Sequence, residues 1–194
     1  MFSLGRPSPA AIGRFLDESR ELPLTYSPVG LAASGGAAGF TLDEQATVIG
    51  SGREAFDRAV LGLSAWAHFD MGWVEIFPKR APIEKGTVVA VLIRHYGFWS
   101  LNGCRVVYAI GAPGDPEFGF AYGTLNNHGE CGEELFKVSL APGTGEVTYV
   151  IRAASRPRSP LAWLGYPAVR LLQRRFRHDS TRALAGAVGG KSPC

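Results

Sequence analysis

No run of about 18 apolar residues occurs in this chain, so a membrane-spanning helix is excluded. Cysteine is scarce: Cys104, Cys131 and Cys194 are odd in number and far apart. A disulfide framework therefore does not fit, and reduced cytoplasmic thiols are expected. The N-terminal stretch MFSLGRPSPAAIGRFLDESR is broken by prolines and charges and does not read as a secretory signal. CxxC, HExxH and GxSxG are all missing, which removes the strong zinc spacings and the nucleophile elbow. The four histidines are His68, His95, His128 and His178, too scattered to predict a metal site, and neither metal nor cofactor is expected. There is no internal repeat and no low-complexity tract.

What is present is the composition of an ordinary globular protein, 46% hydrophobic and 19% charged over 194 residues. That length suits one domain with a modest extension. The net charge of +3 is unevenly spread. From Arg152 onward nine Lys and Arg face one acid, a net +8, whereas the first 151 residues carry 11 basic and 16 acidic residues, a net −5. A basic C-terminal segment permits peripheral contact with an anionic membrane or a protein partner. Nucleic acid is not expected, because RLLQRRFRHDSTR has a single phenylalanine, committed to an apolar face, and no recognition motif is found.

Residues 1 to about 40 read as an irregular arm lying across the main domain, with a short helix from Ser8 to Arg20 and then the Pro-, Gly- and Ala-rich LPLTYSPVGLAASGGAAGF. A helix-bearing domain follows over 41–188, and 189–194 is expected to be a disordered tail. ATVIGSG reads as a short strand, and Ser51 with Glu54 has capping-box spacing for the helix after it. In that helix Phe56, Val60, Leu63 and Trp66 share one face. The pattern then changes to period two. WVEIFP, GTVVAVLIRHYGFW, LNGCRVVYAIG, GFAYGTL, GEELFKVSL and VTYVIRAAS read as strands, with Asn102-Gly103 as a hairpin turn. Ser159-Pro160 opens the C-terminal helical region, and Pro167 kinks it into a long helix to about Ala187. Its apolar face carries Val169, Leu172, Phe176 and Ala183, and Arg170, Arg174 and Arg177 share the other.

The densest chemistry sits in GFAYGTLNNHGECGEELF, residues 119–136. It reads as two strands joined by a polar loop from Asn126 to Cys131, with Glu130 and Cys131 near solvent. Three glutamates crowd Cys131 with negative charge, which argues against a reactive thiolate. Strand alternation puts Glu134, Phe136, Val138 and Leu140 on the inner face and Glu133 on the outer one. Glu134 among apolar neighbours must either pair with a cation, Arg105 or Arg152 being available, or have its pKa raised. Glu134 and His128 are the candidate acid and base. In the preceding strand Gly119, Ala121 and Gly123 leave room for a closely packed helix.

The element order predicts an α+β fold, a curved antiparallel sheet of six to seven strands wrapped around the long C-terminal helix. It resembles the helix-grip arrangement of START and birch-pollen-allergen-like proteins, the SRPBCC type. That resemblance implies a pocket for a lipid, isoprenoid or polyketide-like molecule, with cyclases and hydrolases among its members. Trp99, Phe120, Tyr122 and Tyr149 are the expected lining, with Glu134, Arg105 and Arg152 as polar contacts. The conjunction of LTYSPVG, IGSGREAFDRAVLGLSAW, GWVEIFP, NGCRVVYAIG, FGFAYGTL, GEELF, SRP and LGYPAVRLLQRRF is similar to the uncharacterised protein family 0548, a bacterial and plant group, over about residues 24–184. The family's hairpin carries Pro-Gly where Asn126-Asn127 stand here, and Gly129 and Cys131 also depart from it, so no family-wide role for Cys131 is implied. The functions carried forward are binding of an apolar or amphipathic molecule, an acid/base cyclase, isomerase or hydrolase in the same pocket, and an interaction module using the basic helix.

Overall fold

The structure is a computed structural model. It describes residues 2–112, 114–158 and 166–190, with backbone alone at 166 and 167. Helix α1 (Pro9–Ser19) starts where Ser8 Oγ accepts the Ala11 N–H at 3.2 Å. Strand β2 (Thr41–Ser51) begins earlier than ATVIGSG implies, and Ser51 pairs with Glu146 as its last residue. The N-cap of α2 (Arg53–Ser64) is therefore Gly52, without a side-chain cap, and the expected capping box is not formed. A 3₁₀ turn (Ala67–Phe69) leads to the meander. Its strands are β3 (Val74–Phe77), β4 (Val88–His95), β5 (Phe98–Ile110), β6 (Glu117–Thr124), β7 (Glu130–Leu140) and β8 (Glu146–Pro157). Helix α3 (Tyr166–Val188) closes the chain. Pro167 thus lies in its first turn, where a missing N–H is tolerated. The expected cap Ser159-Pro160 and the tail beyond 190 lie outside the described residues.

All neighbours are antiparallel, in the order β2-β8-β7-β6-β5-β4-β3, and the two-residue β1 (Phe2–Ser3) pairs with β5. The expected helix-grip fold is what the chain adopts. The β4–β5 turn is Tyr96-Gly97, both with positive φ (48° and 83°), rather than Asn102-Gly103. Gly103 pairs with Ala90 inside β5, and a Cβ there would sit 2.2 Å from Asn127 Oδ1. That glycine serves close approach across the sheet, not a turn.

Both faces of the sheet are covered. On the concave side α2, the 3₁₀ turn and the C-terminal half of α3 pack Phe56, Leu63, Phe69, Leu184 and Val188 against Phe120, Phe136, Tyr149 and Ile151. On the convex side α1 places Ile12 and Phe15 on Ala90, Leu92 and Leu101, and the segment 22–40 covers the rest. Tyr26 and Leu31 pack with Cys131 and Ala154, and Ala32 with Val107, Ala121 and Leu135. The small residues of β6 therefore admit the arm, not a helix: a Cβ on Gly123 would lie 2.4 Å from the Tyr26 hydroxyl. Among the described residues no helix is long and apolar enough to cross a membrane.

Candidate functional site

Register across the sheet decides where the concave face is filled. One row reads Phe120, Phe136, Ile151 and Gln45 in neighbouring strands, and its aromatic side chains meet the helices. The next reads Val106, Tyr122, Glu134, Ala153 and Asp43. Beyond it stand Cys104 and Thr124, then Gly132 and Ser155. Replacing large side chains by small ones leaves the space under the N-terminal half of α3 unfilled. A cavity of about 540 Å³ results, walled by Val91 and Ile93 of β4, Trp73 before β3, and Val169, Leu172 and Phe176 of α3. Its polar end carries Asn102, Thr124, His128, Glu130, Glu134, Ser155, Gln173 and Arg177.

Thr124 substitutes for strand pairing at this end. Its hydroxyl oxygen accepts the Gly132 N–H at 2.9 Å and can donate to the Gly132 carbonyl at 3.2 Å. Glu134 Oε2 accepts from the Tyr122 hydroxyl at 2.7 Å. Burial pushes its carboxyl up to about 7, against the lowering effect of that hydrogen bond. Glu130 is also raised by burial, and its Oε1 accepts from Gln173 Nε2 at 2.9 Å. Asp43 is held below the ordinary carboxylate range by Arg170, which donates to both its oxygens, and Arg177 Nη2 lies 3.7 Å from Oδ1. His128 Nδ1 accepts the Glu130 N–H at 2.9 Å, so the neutral ring carries its proton on Nε2. Burial drives His128 down to about 4.

The expected site residues divide. Tyr122, Glu134 and His128 line the cavity. Phe120 sits in the filled row beside it and Tyr149 one row further on, opposite Val138, with the Tyr149 hydroxyl 3.0 Å from Ser180 Oγ. Trp99 lies on the convex face against the α1 cluster. Arg105 donates to the carbonyls of Arg20 and Leu22, and Arg152 pairs with Glu44 and reaches the Ala32 carbonyl. Both arginines hold convex-side segments, so neither is the partner of Glu134. Within the hairpin window, Glu130 and Cys131 belong to β7 rather than to a solvent loop, and Cys131 is buried. Glu133 is on the outer face as expected yet only 2% exposed, because the arm covers it. The hydrogen bonds of Glu134 and His128 go to other groups, so the two do not form a hydrogen-bonded acid/base pair among the described residues.

Glu130, Gln173 and Arg177 are cavity groups that sequence reasoning passed over, as is Asp43, which pairs with Arg177 beside them. The alternation Glu130, Gly132, Glu134 was a usable signal for the first. Arg177 shows none, since a helix arginine three residues from another cation ordinarily faces water. Here it is 9% exposed and turned inward, which removes it from the outer basic face. Arg170 is also turned to Asp43, and Arg175 stacks over Trp73 at 4.5 Å.

A model of a domain of unknown function, DUF1990, matches residues 25–183. A UPF0548 protein of Dictyostelium discoideum is 33% identical over 208 residues, covering 97% of this chain and 96% of that protein. A UPF0548 protein of Arabidopsis thaliana is 35% identical over 150 residues, covering 75% of this chain and 72% of that one. The amoebal relative extends the family beyond the bacterial and plant range expected. Among solved structures, TTHA0849 from Thermus thermophilus has a TM-score of 0.53 at 11% identity, covering 79% of this chain and 100% of that chain. At that identity the likeness is one of fold alone. Family model and relatives agree, and the chain belongs to the UPF0548 family.

Proposed function

We propose that the cavity binds one apolar or amphipathic small molecule, of lipid, isoprenoid or polyketide-like size, between the sheet and α3. The observation that carries this reading is the partly open cavity of about 540 Å³ with an apolar wall and a group of polar side chains in its lining. Small-molecule sites commonly have volumes of about 300–1,000 Å³ and this division of lining. Simple packing would have filled the space with large side chains, as the adjacent row does. The test is titration with the uncharged apolar fluorophore N-phenyl-1-naphthylamine. The wild type is expected to bind it saturably at one site. Ala153→Phe, which fills the floor between Glu134 and Asp43, is expected to lose that binding while keeping its circular dichroism. Absence of saturable binding by the wild type would overturn the proposal.

A second reading, acid/base catalysis in the same cavity, draws on Glu134 alone. A carboxyl near 7 can both give and take a proton at neutral pH. His128, near 4, cannot take one there. An isomerase, cyclase or hydrolase at this site would therefore work through Glu134 and the Tyr122 hydroxyl rather than through Glu134 and His128.

A further inference from the structure

Among the described residues, the ion pairs beside the cavity leave two of its carboxylates out. Glu130 and Glu134 line the cavity and Asp43 stands beside Ala153 at its floor, and the ion pairs at this place, among the described residues, are those that Arg170 and Arg177 make with Asp43. Glu130 and Glu134 are met by neutral donors instead, the amide of Gln173 and the phenol of Tyr122. The two stand on one face of β7 with Gly132 between them. A Cβ on Gly132 would lie 2.1 Å from the Ala154 carbonyl oxygen, so no side chain can fill the interval.

We propose that the ligand of this cavity is an amphipathic amine whose ammonium group binds Glu134 and supplies the positive charge this set of residues lacks. The inference rests on the cavity being a binding site. Tyr122 occupies one oxygen of Glu134 and fixes the carboxylate plane, leaving the other oxygen to accept an ammonium N–H. Trp73, Tyr122 and Phe176 bring aromatic rings into the same lining, and ring faces attract cations. An anionic head would meet two carboxylates, with both arginines already held by Asp43. A neutral head would leave the deficit as it stands. Before the ligand binds, a proton on Glu134 takes the place of the missing cation, consistent with burial raising that carboxyl to about 7. Binding of R–NH₃⁺ to the protonated carboxyl gives the ammonium–carboxylate pair and releases that proton to solvent, so charge and atoms balance.

The experiment is displacement of N-phenyl-1-naphthylamine at pH 7 by dodecylamine, dodecanol and dodecanoate, which share one chain and differ in head charge. The amine is expected to displace the fluorophore at a concentration at least roughly tenfold below that of the alcohol, with the carboxylate weakest. Glu134→Gln, checked for folding by circular dichroism, is expected to abolish that advantage while still binding the alcohol. Equal or tighter binding of the alcohol or carboxylate by the wild type would overturn the inference and leave the binding cavity standing. A wild type that binds neither the fluorophore nor any of the three chains would overturn both. The comparison of heads on the wild type holds even if the variant does not fold.

Discussion

His68 is fully buried in an aromatic cage, stacked on Trp66 at 5.7 Å and edge-on to Phe69 at 4.7 Å, with Phe136 also at 4.7 Å. Neither ring nitrogen has a hydrogen-bond partner among the described residues. A charged imidazolium there would be costly, and burial pushes the pKa from 6.5 down to about 3. A histidine whose folded pKa is depressed leaves stability intact above the unfolded value of 6.5. It withdraws stability as the pH falls from there toward 3. Between pH 7 and pH 5 the loss from this one group is about 2 kcal/mol. His128 acts in the same direction. Glu134, whose pKa is raised, acts oppositely, stabilising at low pH and losing that contribution as the pH rises from 4.5 toward 7. Urea denaturation of wild type and His68→Leu at both pH values isolates the contribution of His68, and the variant is expected to lose about 2 kcal/mol less on acidification. Equal losses would show that His68 does not titrate in the unfolding transition. Nothing in AHF, residues 67–69, signals this. Beyond Trp66 and Phe69, the ring's surroundings are Phe120, Phe136 and Tyr149 of β6, β7 and β8, brought together only by the fold.

At the scale of elements, one carboxylate gathers four hydrogen bonds of the sheet's outer face, three of them from the segment after α1. Glu133 accepts from the Tyr26 hydroxyl at 2.7 Å, the Gly30 N–H at 2.8 Å, the Tyr108 hydroxyl at 2.9 Å and the Ala32 N–H at 3.1 Å. Removing it strands the buried Ala32 N–H, the half-buried Gly30 N–H and two phenols. Glu133→Ala is therefore expected to cost about 3 kcal/mol in urea denaturation. It should also open residues 22–40 to limited proteolysis before the sheet is cut. Unchanged proteolysis would mean that the remaining contacts, the hydrogen bonds of Arg105 and Arg152 and the apolar packing, suffice to hold the arm. Alternation did reveal that Glu133 and Glu134 face opposite ways, but not that the outer face was covered. The covering segment LPLTYSPVG has neither helical nor strand periodicity to announce a contact surface. Its anchor is a set of hydrogen bonds to a residue far along the chain. The same limit explains Asn102-Gly103, which has turn chemistry in the sequence but sits mid-strand because Gly103 gives Asn127 its space. The basic stripe of α3 likewise looked solvated because Asp43, the group that turns Arg170 and Arg177 inward, lies on β2.

For the whole molecule, the fold was legible because it depends on order and period: an early helix, a meander of period-two segments, and a long last helix. The cavity was legible only as a consequence of that fold. Its position depends on which rows of the sheet carry small residues, and rows are set by register across the strands, which local patterns do not specify. Phe120 and Tyr149 therefore read as lining while they fill the two rows next to it, and Trp99 read as lining while it faces α1. The central claim is that the space under α3 is occupied when the protein works. The most direct measurement is native mass spectrometry, with solvent extraction, of the protein purified from its own host. A single small amphipathic molecule retained in one-to-one ratio and released on denaturation is the predicted result. Repeated preparations that carry no small molecule would contradict it.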